Sequence, residues 1–138
     1  MPNGIDLLLA DHRHVDALFG QFEKTGDGAI IGQVIGALNA HDDAEHAALY
    51  PFAGDLLGDA KSIERWANAH SAVKKQIDLI TAQEGAPLAE AFNALRKLVQ
   101  THVADEEKNL LPALEKQATP QQLDALGARL LQAKQRGG

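Results

Sequence analysis

The sequence predicts an all-α protein: an antiparallel up-down four-helix bundle followed by a short fifth C-terminal helix. Ala and Leu are abundant in its 138 residues, and no segment shows a clear strand pattern. Four long segments carry apolar residues at spacings of three and four, and short loops separate them. Short connections favour antiparallel neighbours. We predict one domain over residues 1–138, with the bundle over about 3–117 and the last helix over about 120–136.

The first helix is predicted to begin after Asn3, which can cap it, and to run to about Lys24. The side chains of its buried stripe are Ile5, Leu8, Val15, Phe19 and Phe22. His12 falls inside that stripe. His14 lies roughly 200° around the helix from His12 and should face water.

The second helix is predicted over about 29–52, after the loop at residues 24–28. Its stripe is Ile31, Val34, Leu38, His41, Glu45 and then Ala48 or Leu49. An imidazole and a carboxylate thus continue an apolar face, although an unpaired buried charge is costly. Pro51 should kink or end the helix, and Gly54 and Gly58 should flank a short connection.

The third and fourth helices repeat this arrangement. Asp59 can cap the third, which should reach about Glu84, and Pro87 should open the fourth, which should end near Lys116. The buried stripe of the third helix is Ile63, Trp66 or Ala67, His70, Val73, Ile77 and Ile80. The buried stripe of the fourth helix is Leu88, Ala91 or Phe92, Leu95, Leu98 or Val99, His102, Glu106 and Leu110. A capping box at residues 119–122 opens the fifth helix, whose Leu123, Leu126 and Leu130 should face inward.

An internal repeat places a Glu four residues after a His, and a Pro ten residues after it, at 41–51 and again at 102–112. With six His and eight Glu in the chain, chance predicts fewer than one such His–Glu pair. Residues four apart share one face of a helix, so each pair points one imidazole and one carboxylate in the same direction. His12 and His70 precede the two pairs in equivalent positions. Four imidazoles and two carboxylates should therefore meet at one level of the bundle.

A set of imidazole and carboxylate ligands suits iron, and also zinc or manganese. Six side chains are too many for one structural zinc, which closes at four ligands. They fit two metal ions, each with two imidazoles, with bridging carboxylates and a bridging oxide, hydroxide or water. The alternative is a metal-free buried polar network.

The pattern resembles the hemerythrin family in its bacterial HHE cation-binding branch. The resemblance covers nearly the whole chain, from D-H-R-H-V at 11–15 to L-L-P-A-L at 110–114. It implies a non-haem diiron site that binds or reacts with dioxygen, hydrogen peroxide or nitric oxide. Carried over residue by residue, the resemblance implies as metal ligands His12, His41, Glu45, His70, His102 and Glu106.

One departure concerns the third helix, where Lys74 stands at the place of a fifth His found in oxygen-carrying members. A more open site favours peroxide consumption, catalase-like or peroxide-reducing, with a role in oxidative stress. The alternative is a binding module that carries, stores or senses dioxygen, nitric oxide or iron. Tyr50, just before Pro51, is a candidate ligand or redox group, as in similar family members, or else a bundle-end aromatic whose hydroxyl reaches solvent.

Other polar residues near the repeat allow two interpretations. His46 is either a surface residue or a partner of Tyr50. Asp11, Asp42, Asp43 and Asp105 form either a solvated acidic face or a set of carboxylates that orient ligand imidazoles through their second nitrogen.

The amino-acid composition limits which partners the protein could bind and in which cellular compartment it is expected. The formal net charge is −6, which argues against nucleic acid and anionic membranes. The absence of cysteine excludes disulfides and thiolate chemistry. No stretch resembles a signal peptide or a membrane span. We therefore expect a cytoplasmic monomer or weak homodimer whose partners are small molecules.

Overall fold

The computed structural model describes residues 3–82 and 86–137, and it confirms the predicted all-α bundle with a fifth C-terminal helix. The α-helices are α1 (Gly4–Thr25), α2 (Ala29–Ala44), α3 (Tyr50–Leu57), α4 (Ala60–Thr81), α5 (Ala86–Asp105), α6 (Leu111–Gln117) and α7 (Pro120–Gly137). Two π-helical turns, π1 (Glu45–Leu49) and π2 (Glu106–Leu110), join α2 to α3 and α5 to α6. The four bundle rods are therefore α1, α2–π1–α3, α4 and α5–π2–α6.

The helix ends follow local side-chain chemistry. The Asn3 side chain accepts a hydrogen bond from the Asp6 amide at 3.0 Å and caps α1. Gly26 and Gly58 end α1 and α3 with φ of 66° and 67°, a conformation that favours glycine. At the start of α7, Thr119 and Gln122 exchange side-chain and backbone hydrogen bonds, so the predicted capping box is present.

The second rod continues beyond its predicted end near residue 52. The Tyr50 amide donates to the Glu45 carbonyl, five residues back, so the helix gains one residue within that turn. Pro51 then sits in the first turn of α3, a position where proline is common in helices. Pro112 follows π2 in the same way. Gly54 consequently lies inside α3, and residues 58–59 make the connection to α4.

The third helix is shorter than predicted. Helix α4 ends at Thr81, whereas the sequence pattern predicted an end near residue 84. Residue 84 itself lies outside the described residues.

The apolar core is divided into two clusters along the bundle axis. One, called here the Leu8 cluster, comprises Ile5, Leu8, Ala44, Ala48, Leu49, Tyr50, Ala53, Trp66, Leu110, Leu111, Leu114, Leu123, Leu126 and Leu130. The other, the Phe19 cluster, comprises Val15, Leu18, Phe19, Ile30, Ile31, Val34, Leu38, Ile77, Ile80, Phe92, Leu95 and Val99. On every rod, a predicted histidine ligand lies between residues of one cluster and residues of the other.

Helix α7 extends the Leu8 cluster beyond the four rods. It packs against α1, α2 and π1. Leu126 lies against Gly4, and Lys134 contacts Asp11, so α7 runs alongside α1 in the same direction. A Cβ atom at Gly4 would lie only 2.6 Å from Leu126, so this approach requires glycine. Within the described residues, no helix combines the length and apolar character that crossing a membrane requires.

Candidate metal centre

All six predicted ligands converge in one layer between the two apolar clusters, called here the polar layer. It comprises His12 of α1, His41 of α2, Glu45 of π1, His70 of α4, His102 of α5 and Glu106 of π2. Both glutamates are 0% exposed. Both are also the first residues of their π turns, so the local widening of each rod begins at a predicted ligand.

The inward nitrogens of the four histidines surround the two carboxylates. From Glu45 Oε1, the distances to Nε2 of His41 and His70 are 2.9 and 3.2 Å. From Glu106, the distances to Nε2 of His12 and His102 are 3.4 and 3.3 Å. The Nε2 atoms of His70 and His102 are 2.7 Å apart.

These atoms form two groups, each compact enough to hold one metal ion. The first group is Glu45, His70, His102 and Glu106, and the second is His12, His41 and Glu106. Within each group the donor atoms lie within 4.8 Å of one another. Because the groups share Glu106, a carboxylate could link two ions.

The outer nitrogens of three histidines face carboxylates. His12 Nδ1 lies 2.8 Å from Glu107, His41 Nδ1 lies 2.9 Å from Asp11, and His70 Nδ1 contacts Asp42. A carboxylate at one ring nitrogen holds the proton there and leaves the other nitrogen free to bind a metal. Asp11 and Asp42 therefore match the orienting role that the sequence allowed them.

The other two acidic candidates do not contact the imidazoles of the polar layer in the described structure. Asp43 is exposed, and Asp105 accepts a hydrogen bond from Asn109 at 2.6 Å. Glu107 was missed by sequence reasoning. It sits next to Glu106 on a charged stretch, and its partner is 95 residues away.

The buried charges alter proton affinities in the metal-free layer. Burial lowers the pKa of His41, but the Glu45 carboxylate and the hydrogen bond to Asp11 outweigh it and raise that pKa to about 10. Burial likewise opposes protonation of His102, yet the hydrogen bonds to Glu106 and Glu45 raise its pKa to about 9. For His70, burial and the nearby charge of His102 lower the pKa to about 3. Burial would raise the pKa of Glu45, but the charge of His41 holds it well below its usual range.

The polar layer has the properties expected of a metal-binding cage. Several polar atoms of the layer are buried without a well-oriented hydrogen bond from the described residues. They are both carboxylate oxygens of Glu45 and of Glu106, and Nε2 of His12 and His41. Buried polar atoms are normally hydrogen-bonded, and unpaired ones are costly. Metal ions would satisfy these atoms, and a nitrogen and oxygen donor set suits iron, zinc or manganese.

Tyr50 is buried beside the layer instead of reaching solvent. It is 6% exposed, and its hydroxyl lies 3.0 Å from Nε2 of His70. Burial, together with the Glu45 and Glu106 carboxylates, raises the pKa of the phenol. The ring of His46 packs edge-on against Tyr50, with centroids 5.2 Å apart. His46 is thus both a partly exposed residue and a neighbour of Tyr50.

Lys74 leaves one side of the layer open. Its side chain is 61% exposed, and its ammonium lies 3.8 Å from Asp42 Oδ2. Next to it is a cavity of about 40 Å³. The wall of this cavity is formed by Asp11, His12, Val15, Leu38, Asn39, His41, Asp42, His70, Val73, Lys74, Ile77, Val99, His102 and Val103.

Two comparisons with individual proteins bear on the fold and its relatives. A hemerythrin HHE cation binding domain-containing protein from Mycobacterium kansasii superposes with a TM-score of 0.87 at 18% identity, over 99% of this chain and 88% of that one. At this low sequence identity, the similarity shows that the two proteins share a fold. A DNA nickase from Nostoc sp. (strain PCC 7120) is 27% identical over 135 residues, which are 94% of this chain but only 38% of that protein. The chain therefore spans less than half the length of this relative.

The family comparison covers most of the chain. The hemerythrin HHE cation binding domain matches residues 3–114 and, separately, 61–132. The two matches begin 58 residues apart, the same interval as between His12 and His70, which agrees with an internal repeat. The chain belongs to the hemerythrin HHE cation-binding family and is a hemerythrin-like metal-binding domain.

Proposed function

We propose that this chain is a non-haem diiron protein that consumes hydrogen peroxide, with the six side chains of the polar layer as ligands. Two bound iron ions would supply the two-electron change that peroxide disproportionation or reduction requires. The two overlapping donor groups support two ions, since one four-coordinate ion would leave two of the six side chains unused.

The observation that carries the proposal is the cavity beside the layer. Its volume of about 40 Å³ suits a molecule of a few atoms, since one water needs roughly 10–15 Å³ by the same kind of measure. Its wall combines apolar side chains, such as Val73, Ile77 and Val103, with the ligand imidazoles. A cavity of this size beside the ligands would hold a small molecule such as hydrogen peroxide next to the metal ions.

The chain's own groups prepare the layer for this chemistry. Glu107 and Asp11 lie within hydrogen-bond distance of Nδ1 of His12 and His41, and Asp42 contacts Nδ1 of His70, so Nε2 of each ring faces inward and would be the nitrogen that binds a metal ion. The Phe19 cluster closes the layer against water on one side and the Leu8 cluster closes it on the other. Tyr50 places a phenol oxygen next to His70, where it could act as a ligand or as a redox group.

The alternative is a binding module that carries, stores or senses dioxygen, nitric oxide or iron without turnover. A carrier site needs restricted access, whereas the Lys74 side chain is 61% exposed and its ammonium pairs with Asp42. This arrangement favours peroxide consumption. The net charge of −6 favours small molecules over nucleic acid, so the activity named for the Nostoc relative is not proposed for this chain.

Lys74→His tests the role of the open side. An imidazole at residue 74 would lie one turn from His70 and could block the open side of the layer. We expect the iron-loaded protein to release dioxygen from hydrogen peroxide, and Lys74→His to do so severalfold more slowly. Lys75→His, at the exposed neighbouring residue, is the matched control and should keep the original rate. An oxygen electrode measures the rates.

Two results would contradict the proposal. Reversible dioxygen binding without peroxide consumption would assign the chain to the binding class. Equal rates of peroxide consumption in Lys74→His and the original protein would show that residue 74 does not control access to the layer. The same ferric samples test Tyr50, because a phenolate ligand gives a visible charge-transfer band that Tyr50→Phe should remove.

A further inference from the structure

A second set of metal-binding atoms lies on the outer side of the polar layer. Asp42 Oδ1, His46 Nε2 and His70 Nδ1 all lie within 4.8 Å of one another. Asp42 and His46 are one helical turn apart, with 3.2 Å between the carboxylate oxygen and the ring nitrogen. The exposed fractions of the side chains of His46, Asp42 and His70 are 47, 14 and 8%. The three groups thus form a path from solvent to the layer.

The two sequence repeats differ at this place. The counterpart of His46 in the second repeat is Glu107, which contacts His12 Nδ1 directly at 2.8 Å. In the first repeat Asp42 performs that task for His70, one turn earlier along the chain. His46 is therefore not needed to orient an imidazole, and it adds a nitrogen donor that the second repeat lacks.

We propose that Asp42, His46 and the outer nitrogen of His70 form a transit site that takes up a divalent transition-metal ion before it enters the polar layer. The proposal rests on the two-metal function proposed above. Both glutamates of the layer are fully buried, so they are not the first donor atoms that an incoming ion meets. An incoming ion therefore needs donors that solvent can reach, and imidazole with carboxylate binds such ions well.

The transit site and the inner site compete for His70. A neutral imidazole has one nitrogen with a free lone pair, and the other nitrogen carries the proton. With an ion at Nδ1, the proton would be on Nε2. With an ion at Nε2 in the layer, the proton would be on Nδ1, which would donate a hydrogen bond to Asp42. The ring neither gains nor loses a proton. The transit site is thus available in the metal-free protein and is given up as the layer fills.

Metal-loading kinetics test the transit site. Metal-free protein is mixed with cobalt(II), whose visible absorption reports protein coordination, and the final cobalt content is measured by elemental analysis. His46→Phe keeps a ring against Tyr50 and His70 but has no donor nitrogen, and we expect severalfold slower loading with the same final content. His46→Glu restores a donor and should load at nearly the original rate. His14→Phe, at an exposed residue of α1, is the matched control and should not change the rate.

Each other result overturns the inference in a distinguishable way. An unchanged loading rate in His46→Phe would show that the ion enters elsewhere. A lower final cobalt content in this variant would make His46 part of the resident centre instead of a transit site. If the unmodified protein takes up no cobalt, the proposed metal centre itself fails.

Discussion

At the scale of single residues, proton positions decide whether the polar layer can bind metal. Three of the four histidines have a carboxylate at Nδ1, namely Glu107, Asp11 and Asp42. Nδ1 of His102 is buried without a hydrogen bond from the described residues. The layer is therefore not fully symmetric, although the pattern of ligand residues repeats along the sequence.

Asp11→Asn tests the orienting carboxylates. An amide can still accept a hydrogen bond from His41 through its oxygen, but it is uncharged, so the imidazole becomes a weaker donor to metal. We expect a loss of roughly 10–100-fold in metal affinity, the usual cost of changing such a partner. Competition with a chelator measures it. Asp16→Asn, at an exposed position on α1, is the control and should leave the affinity unchanged, and an equal loss in both variants would contradict the orienting role.

The residue scale also shows what the sequence could predict. The six proposed ligands were found because each lies at a spacing of three or four on an apolar stripe, which is local information. Asp11 was a candidate because it neighbours a ligand. Glu107 was not found, because its contact with His12 joins helices that are far apart in sequence.

At the scale of elements, the π turns explain the main error in the predicted helices. The sequence rule for proline predicts a kink or an end. Both rods instead gain one residue just before Pro51 and Pro112 and continue. Residues 48–50, at the end of π1 and the start of α3, are all buried, and Tyr50 lies beside His70. Proline spacing alone does not reveal such a turn.

The packing of α7 on α1 gives a prediction at the same scale. Gly4→Ala would place a methyl group 2.6 Å from Leu126, a fully buried side chain, so we expect a loss of about 1–3 kcal/mol in the free energy of unfolding. Gly20→Ala is the matched control on the same helix. A Cβ there has no neighbour within 4 Å, so this change should stabilise the protein by roughly 0.5–1 kcal/mol. Urea unfolding of the two variants measures both values, and equal stabilities would contradict the contact.

At the scale of the whole molecule, the polar layer interrupts an otherwise apolar interior. The Leu8 cluster and the Phe19 cluster each contain residues from several rods, and the layer lies between them. Without metal, two buried carboxylates depend on imidazoles for compensation, and several of their oxygens lack well-oriented hydrogen bonds. Metal binding should therefore stabilise the folded chain as a unit, because the cage exists only when all four rods are assembled.

Removing the metal should lower the melting temperature of the protein. A ligand at 100 times its dissociation constant that binds only the folded state adds about 2.7 kcal/mol, which corresponds to roughly 10 °C for a chain of this size. Calorimetry of the loaded and the chelated protein measures the difference. The double variant Glu45→Gln and Glu106→Gln keeps the shape of the layer but removes both carboxylates, so its melting temperature should respond little to metal or chelator. Identical melting of the loaded and chelated unmodified protein would show that the six side chains do not form a metal cage.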